Sequence, residues 1–250
     1  MRKQLFPLIP FVILLLAWQA AVASGRWSTY ILPPPEQVLA TAQRMLASGE
    51  LLKHTIISLR RVFWGFVWAF GLASIFSIAS LLVPVLKKLD RGLFSVLQHI
   101  PPLSLIPLLI LWFGIGETPK TIIIVLATFF PIYLNMEESI RRCDPKLLEL
   151  GKMLGMTRLE QLWKIRVPSA LPYILTGVKV GMGYSLRAII GAEMIAADSG
   201  LGFLILDAQT MSRSDKVIIG ILAIGALGFL IDGIFSFLTW YLLPYERRHA

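Results

Sequence analysis

Long apolar runs occupy most of the 250-residue sequence and constrain its fold more than any other feature. A helix needs about 20 apolar residues to cross a bilayer, and only regular, internally hydrogen-bonded structure is tolerated there. Six stretches can be placed as spans, roughly at residues 5–24, 62–84, 93–115, 119–135, 171–193 and 217–243. The sequence therefore predicts an all-α fold, a polytopic membrane bundle of about six transmembrane helices.

Composition agrees with a membrane location and argues against an enzyme. The chain is 56% hydrophobic and 16% charged, whereas soluble domains have about 25% charged residues. Cys143 is the only cysteine, no G-x-x-x-x-G-K-[ST] loop occurs, and no cofactor is expected in this chain. A membrane-embedded enzyme that uses Glu193, Asp198 and His99 is the alternative from another class.

The placement of Lys and Arg predicts the orientation of the spans. With a cytosolic N-terminus, more than half of the 24 basic residues fall in cytosolic segments, and both termini are cytoplasmic. The net charge of +9 is then mainly a topology signal, so we do not expect nucleic-acid binding. The first apolar run, with Arg2 and Lys3 before it, could also be a cleavable signal peptide; the five later spans favour an uncleaved helix.

The chain divides into two predicted parts. Residues 1–54 contain the first transmembrane helix and an outside linker helix, at about 36–52, with apolar residues at helical spacing. Residues 55–250 form the core membrane domain, which has a cytosolic loop at 136–170. No inverted internal repeat is visible in the core.

The loop at 136–170 carries clear helix signals. Asp144 and Pro145 form an N-cap with proline at the first helical position, and Gly155 can adopt the left-handed conformation that ends a helix. Thr157 and Glu160 form a capping box. Two short helices are therefore predicted, at about 145–154 and 158–166, joined by a tight turn.

This loop resembles the EAA loop of ABC-transporter permeases, which docks on an ATPase. Four positions match the pattern and three depart from it by small or apolar exchanges: Glu149, Gly155, Ile165 and Pro168 match, while Leu150, Gly151 and Val167 differ. The resemblance implies that the residues that couple the chain to the ATPase are Glu149, Lys152, Gly155, Met156 and Arg158.

Four further segments are similar to permeases of the sulfonate, taurine and nitrate importer group and to related permeases for thiamine precursors: LPPP at 32–35, SLRRV at 58–62, HIPPLSLIPLLILWFGIGETPK at 99–120 and GAEMIAADSGLGFLI at 191–205. The resemblance implies a type I ABC importer permease of MetI-like architecture in the bacterial inner membrane. It also implies a homodimer, two cytosolic ATP-binding subunits that hold ATP and Mg²⁺, and a periplasmic or lipid-anchored substrate-binding protein. A small anion is the expected substrate; a thiamine precursor is the alternative.

Four residues are candidates for the translocation path. Pro101 and Pro102 interrupt the third span, either as part of a bent helix lining the path or as a kink needed for packing. Arg187 and Glu193 are ionisable groups at or near membrane depth, where a charge needs a partner or a cavity. Arg187 could serve an anionic substrate, or it could pair with Glu193 or Asp232. The spacing of Gly177 and Gly181 favours close helix packing.

Overall fold

The computed structural model describes residues 9–83 and 90–242, and these residues form helices joined by short turns, as predicted. The main helices are α1 (Ile9–Ala23), α2 (Pro35–Ala47), α3 (Glu50–Leu82), α4 (Ile106–Phe113), α5 (Glu117–Arg141), α6 (Pro145–Met153), α7 (Arg158–Gln161), α8 (Val167–Ala196), α9 (Leu201–Thr210) and α10 (Ser214–Leu242). Three short helical segments precede α4, at Asp90–Phe94, Ser95–Leu97 and Pro102–Leu105. A π-helical segment, Leu162–Arg166, joins α7 to α8.

Each of the six predicted spans corresponds to an apolar helical region. Among the described residues, α3, α5 and α10 are long and apolar enough to cross a membrane. The continuous helix Arg158–Ala196 and the following α9 form a fourth candidate span, with a bend of 44° at the break between them. Helix α1 and the Pro102–Phe113 region are apolar but shorter. Helix α5 continues through Pro131 to Arg141, so the fourth span is longer than predicted.

The third predicted span is not one bent helix. Its residues form a series of short helical segments separated near Pro101, before α4 begins at Ile106. Proline lacks the N–H that continues a helical hydrogen-bond ladder, and it disfavours helical backbone in the preceding residue. Two consecutive prolines at 101 and 102, followed by Pro107, therefore explain a break rather than a kink.

Helices α3, α5 and α8 form the centre of the bundle. A side chain at Gly65 of α3 would place its Cβ 2.5 Å from Ile124 of α5. On α8, a Cβ at Gly177 would lie 2.6 Å from Asn135, and one at Gly181 would lie 2.6 Å from Ile132. The predicted packing role of Gly177 and Gly181 is therefore confirmed, and the partner helix is α5.

The N-terminal helices pack against the outside of this centre. The indole Nε1 of Trp18 donates to the carbonyl oxygen of Pro33 at 3.1 Å, which joins α1 to the start of α2. The linker helix ends at Ala47, earlier than predicted, and Gly49 turns the chain with φ +75° into α3. The predicted division between residues 54 and 55 falls within the first turns of α3 and stays a prediction.

Candidate functional site

A buried ionic cluster lies at the end of α8 farthest from the 145–166 hairpin. Its centre is Glu193, whose side chain is 0% exposed. The carboxylate accepts hydrogen bonds from Arg61 Nη1 at 2.8 Å, from Ser58 Oγ at 2.8 Å and from the Gly202 N–H at 3.0 Å. A carboxylate removed from water needs such donors to remain charged.

Arg61 extends the cluster toward the surface. Its guanidinium donates to both carboxylate oxygens of Glu117, at 2.6 and 2.8 Å, and to the Ser199 carbonyl oxygen at 2.6 Å. Lys120 also pairs with Glu117, at 2.7 Å. Arg61 and Lys120 are each 4% exposed, whereas Glu117 is 55% exposed. Two cations and two carboxylates thus balance one another across α3, α5 and α8.

The turn between α8 and α9 wraps around Glu193. A Cβ at Gly200, where φ is +112°, would lie 2.2 Å from the Glu193 carboxyl carbon, so only glycine fits there. The Gly200 N–H donates to His54 Nδ1 at 3.0 Å, and the Leu201 N–H donates to Ser58 Oγ at 2.9 Å. Side chains of α3 and α8 therefore satisfy the first N–H groups of α9.

Asp198 and Ser199 immediately precede this helix start, but neither side chain caps α9. The residue before α9 is Gly200, and no side chain of the same turn caps it. The Ser199 hydroxyl instead donates to the Asp198 carboxylate, which lowers the pKa of that carboxyl group. The N–H groups at this helix start are already satisfied by His54, Ser58 and Glu193, so a local cap is not needed.

Sequence reasoning missed most of the cluster. Ser58 and Arg61 belong to the segment SLRRV, which the sequence marks only by resemblance, and His54 belongs to no motif. The available signal was their spacing, because residues four and three apart lie on one face of a helix. The partner carboxylates, Glu117 and Glu193, lie 56 and 132 positions from Arg61, and nothing in one sequence pairs them.

Arg187 has neither of the acidic partners considered for it. Within the described residues, Glu193 pairs with Arg61, and Asp232 lies 3.8 Å from Lys179. The Arg187 side chain is exposed, and its guanidinium carbon lies 5.7 Å from the centre of the Tyr184 ring, a cation–π arrangement. Asp232 therefore joins α10 to Lys179 of α8 and not to Arg187.

A cavity of about 450 Å³ lies beside Tyr184. Its lining is mostly apolar and comes from the broken third span, α5 and α8, and it includes Gln98, Pro102, Phe130, Asn135, Val180 and Tyr184. Pro102 thus lies on a cavity, and Pro101 precedes it in the break. Glu193 does not line this cavity, so its role in a path stays a prediction.

The caps and the turn of the 145–166 hairpin form as predicted, but the second helix does not end near residue 166 and continues through the π-helical segment into α8. The Asp144 side chain accepts the Lys146 N–H at 2.9 Å, Gly155 has φ +71°, and Thr157 and Glu160 form the reciprocal capping box. Gly151 is buried, and a Cβ there would lie 2.8 Å from Ile165 Cδ1. The glycine that replaces an alanine of the pattern therefore lets the two helices approach.

The proposed coupling residues lie on the uncovered side of the hairpin. Glu149, Lys152, Gly155 and Arg158 are exposed, and Met156 is half-buried. Large apolar side chains are exposed beside them, at Leu147, Leu150, Met153, Leu154, Leu159 and Trp163. The most exposed of these six side chains is Met153, at 86%. A mixed apolar and charged surface of this kind is typical of a protein interface.

Taken together, the long apolar helices of the bundle and the polar hairpin at one end define a multi-pass membrane protein. Residues 65–239 match the family described as binding-protein-dependent transport system inner membrane component. This match covers more than half of the chain, so the chain belongs to that family. It is an ABC-transporter permease of the inner membrane and not an enzyme, and permeases of this kind work with separate ATPase and substrate-binding subunits.

Three curated relatives are similar in sequence to this chain over 88–97% of its length. The aliphatic sulfonates transport permease protein SsuC of Bacillus subtilis is 35% identical over 97% of this chain and 87% of its own length. SsuC of Escherichia coli is 36% identical over 92% of this chain and 89% of its own length. The taurine transport system permease protein TauC of Escherichia coli is 32% identical, covering 88% of this chain and 82% of its own length.

Solved structures show the same fold at low sequence identity. A chain of the MetNI methionine ABC transporter in an inward-facing conformation superposes with a TM-score of 0.61 at 16% identity, covering 80% of this chain and 96% of that chain. A chain of an amino acid ABC transporter with histidines gives 0.64 at 18% identity, covering 82% and 97%. The predicted MetI-like architecture is confirmed.

Proposed function

We propose that this permease imports a small anion of the sulfonate or taurine type by alternating access. The observation that carries the proposal is identity of 32–36% over nearly the full chain to relatives named for aliphatic sulfonates and taurine. Arg187 supports it, because an exposed guanidinium at membrane depth suits an anion. We place Arg187, Pro101 and Pro102 on the path and give Glu193 the role of fixing its far end.

The proposed transporter contains two copies of this chain, two cytosolic ATP-binding subunits and a periplasmic or lipid-anchored binding protein. ATP and Mg²⁺ belong to the ATPase, and this chain holds no cofactor. Both termini and the 145–166 hairpin are cytoplasmic, whereas the ionic cluster faces outward. Nitrate and a thiamine precursor are the alternative substrates. Competition experiments on uptake by the reconstituted complex distinguish the candidates. If a thiamine precursor competes for uptake and no sulfonate does, the proposed anionic substrate is wrong.

In the proposed mechanism, the hairpin transmits ATPase closure to the bundle. Its exposed apolar side chains would be covered by the ATPase, and its charged side chains would orient the contact. Helix α7 continues through the π-helical segment into α8, so a displaced hairpin tilts a membrane span directly. Closure of the two ATPase subunits would open the cavity outward, and hydrolysis would reset it inward.

Charge reversal at Glu149 tests the coupling. Glu149 is exposed on α6, so Glu149→Lys should leave membrane insertion and the yield of the permease unchanged. It should reduce substrate-stimulated ATPase activity and transport about tenfold or more, because a like or unpaired charge at an interface costs several kcal/mol. Glu36→Lys, at an exposed position of α2, is the matched control and should behave as wild type. Normal coupling in Glu149→Lys removes this residue from the interface.

A further inference from the structure

One face of α8 stays uncovered from Thr176 to Arg187. Thr176, Val180, Tyr184 and Arg187 are exposed, and their spacing of four, four and three residues places them on one stripe of the helix. A Cβ at Gly183, next to this stripe, would meet nothing within 4 Å. The opposite face of α8 is packed on α5, so the stripe is the side that this bundle leaves open.

The chemistry of the stripe does not suit lipid. Its guanidinium, Arg187, is the group that does not suit lipid, because the Thr176 hydroxyl already donates to the Pro172 carbonyl oxygen at 3.1 Å. The exposed surface of α10 is mostly large and apolar, and its exposed Asp232 lies 3.8 Å from Lys179 of α8. The apolar residues are Ile221, Leu222, Phe229, Leu230, Ile234 and Phe237. A charge facing hydrocarbon is costly and is found toward protein or water. The Arg187 end of the stripe therefore faces protein or a water-filled path, whereas the apolar side chains of α10 fit lipid.

Arg187 is also too deep to reach the far surface easily. It lies nine residues before the end of α8 at Ala196, which corresponds to about 14 Å along the helix axis. Helical side chains tilt toward the helix N-terminus, so the Arg187 side chain leans away from that end. Its position against the ring of Tyr184, one turn earlier, agrees with this tilt.

We propose that the stripe of α8 faces the same stripe of a second copy, and that the two Arg187 guanidinium groups together form one anion site on the twofold axis. In a twofold dimer, a residue near the axis meets its own equivalent. Two guanidiniums repel each other unless an anion lies between them, and their planar N–H donors fit the oxygens of an oxyanion. The site is incomplete in one copy and empty of competing carboxylates within the described residues.

The cavity lined by Tyr184 adjoins the proposed anion site. Its lining is mainly apolar, with Gln98, Asn135 and Tyr184 as polar members. An anion with a short apolar body could place its charge between the two arginines and its body against this wall. The inference rests on the proposed function for the second copy and for an anionic substrate.

Cross-linking tests whether the two stripes meet. In a Cys143→Ser background, Arg187→Cys and Tyr184→Cys should each be joined across the dimer by a short bifunctional maleimide in the assembled complex. Tyr184→Cys leaves the arginine in place, so a folding defect of one variant does not decide the result. Phe229→Cys, 83% exposed on α10, is the control and should not cross-link. Absence of a cross-link at both stripe positions overturns the proposal.

Mixed dimers test whether the arginines act as one site. Wild-type and Arg187→Gln copies carrying different tags are co-expressed, and complexes with one of each are purified through both tags. A shared site predicts that losing one arginine lowers anion uptake per complex about tenfold, the effect of one charge-assisted hydrogen bond. Arg187→Lys in both copies should retain part of the uptake. Half of wild-type uptake in mixed dimers indicates two independent sites and overturns the proposal.

Failure of the proposed function has a different signature. If the wild-type complex imports only neutral or cationic substrates, the anion assignment is wrong, whereas the cross-linking result still decides whether the two stripes meet. If the anion is imported but neither stripe position cross-links, the proposed function stands and the paired site is wrong.

Discussion

At the residue scale, the function assigned to a charge depends on which partner it has. Glu193 and Arg187 look equivalent in the sequence, since both are ionisable groups near membrane depth. The structure separates them: Glu193 is enclosed by Arg61, Ser58 and the Gly202 N–H, whereas Arg187 lies against the Tyr184 ring and pairs with no carboxylate in the part of the chain that the structure describes. A fully satisfied charge fixes structure, and a charge without a counter-ion is available for a ligand.

Neutralising either member of the buried pair should destabilise the protein. Glu193→Gln leaves Arg61 paired with Glu117 alone, and Arg61→Gln leaves a buried carboxylate without its cation. We expect each change to cost about 3–5 kcal/mol, seen as a lower melting temperature of the purified complex. The double variant should lose less than the sum of the two by about 0.5–3 kcal/mol.

Glu36→Gln, at an exposed position of α2, provides the control for loss of a carboxylate and should leave the melting temperature unchanged. Strictly additive losses in the double variant would show that the two side chains are not energetically coupled. The pair would then have no part in holding α3 to α8.

At the element scale, local chemistry was predictable and long-range packing was not. The predicted caps at Asp144 and Thr157 and the turn at Gly155 are confirmed, because each depends on residues within a few positions. The break in the third span was underestimated, since the sequence does not show whether neighbouring helices stabilise a proline-containing helix. The identity of α5 as the partner of Gly177 and Gly181 also required the structure.

Close packing of α8 on α5 should not tolerate a larger side chain. At Gly181 the first added carbon already lies 2.6 Å from Ile132, so Gly181→Leu must separate the helices. Overpacking of this kind costs about 1–3 kcal/mol or more, and we expect a lower yield of assembled complex and a lower melting temperature. Gly225→Leu on α10 is the matched control, because a Cβ there meets nothing within 4 Å. Equal yields for the two variants would contradict the packing role.

At the scale of the whole molecule, α8 connects the 145–166 hairpin to the ionic cluster around Glu193. It begins at the hairpin and ends at the turn around Glu193, a length of 30 residues or about 45 Å. The ionic cluster fastens its far end to α3, α5 and α9, while the hairpin end presents an uncovered surface. In the proposed mechanism, movement of the hairpin would therefore pass along one continuous helix to the end that the ionic cluster fastens.

This arrangement works only if the hairpin is cytosolic, which cysteine labelling can test. In a Cys143→Ser background, Leu154→Cys places a thiol on the hairpin at a position that is 66% exposed and has no capping role. Ser28→Cys places one in the exposed turn between α1 and α2. A membrane-impermeant maleimide should label Ser28→Cys in intact spheroplasts and Leu154→Cys only after the cells are opened. Cys143→Ser alone should stay unlabelled in both conditions. The reverse labelling order would place the hairpin outside, where no ATPase can reach it, and would remove the proposed coupling together with the cytoplasmic location of both termini.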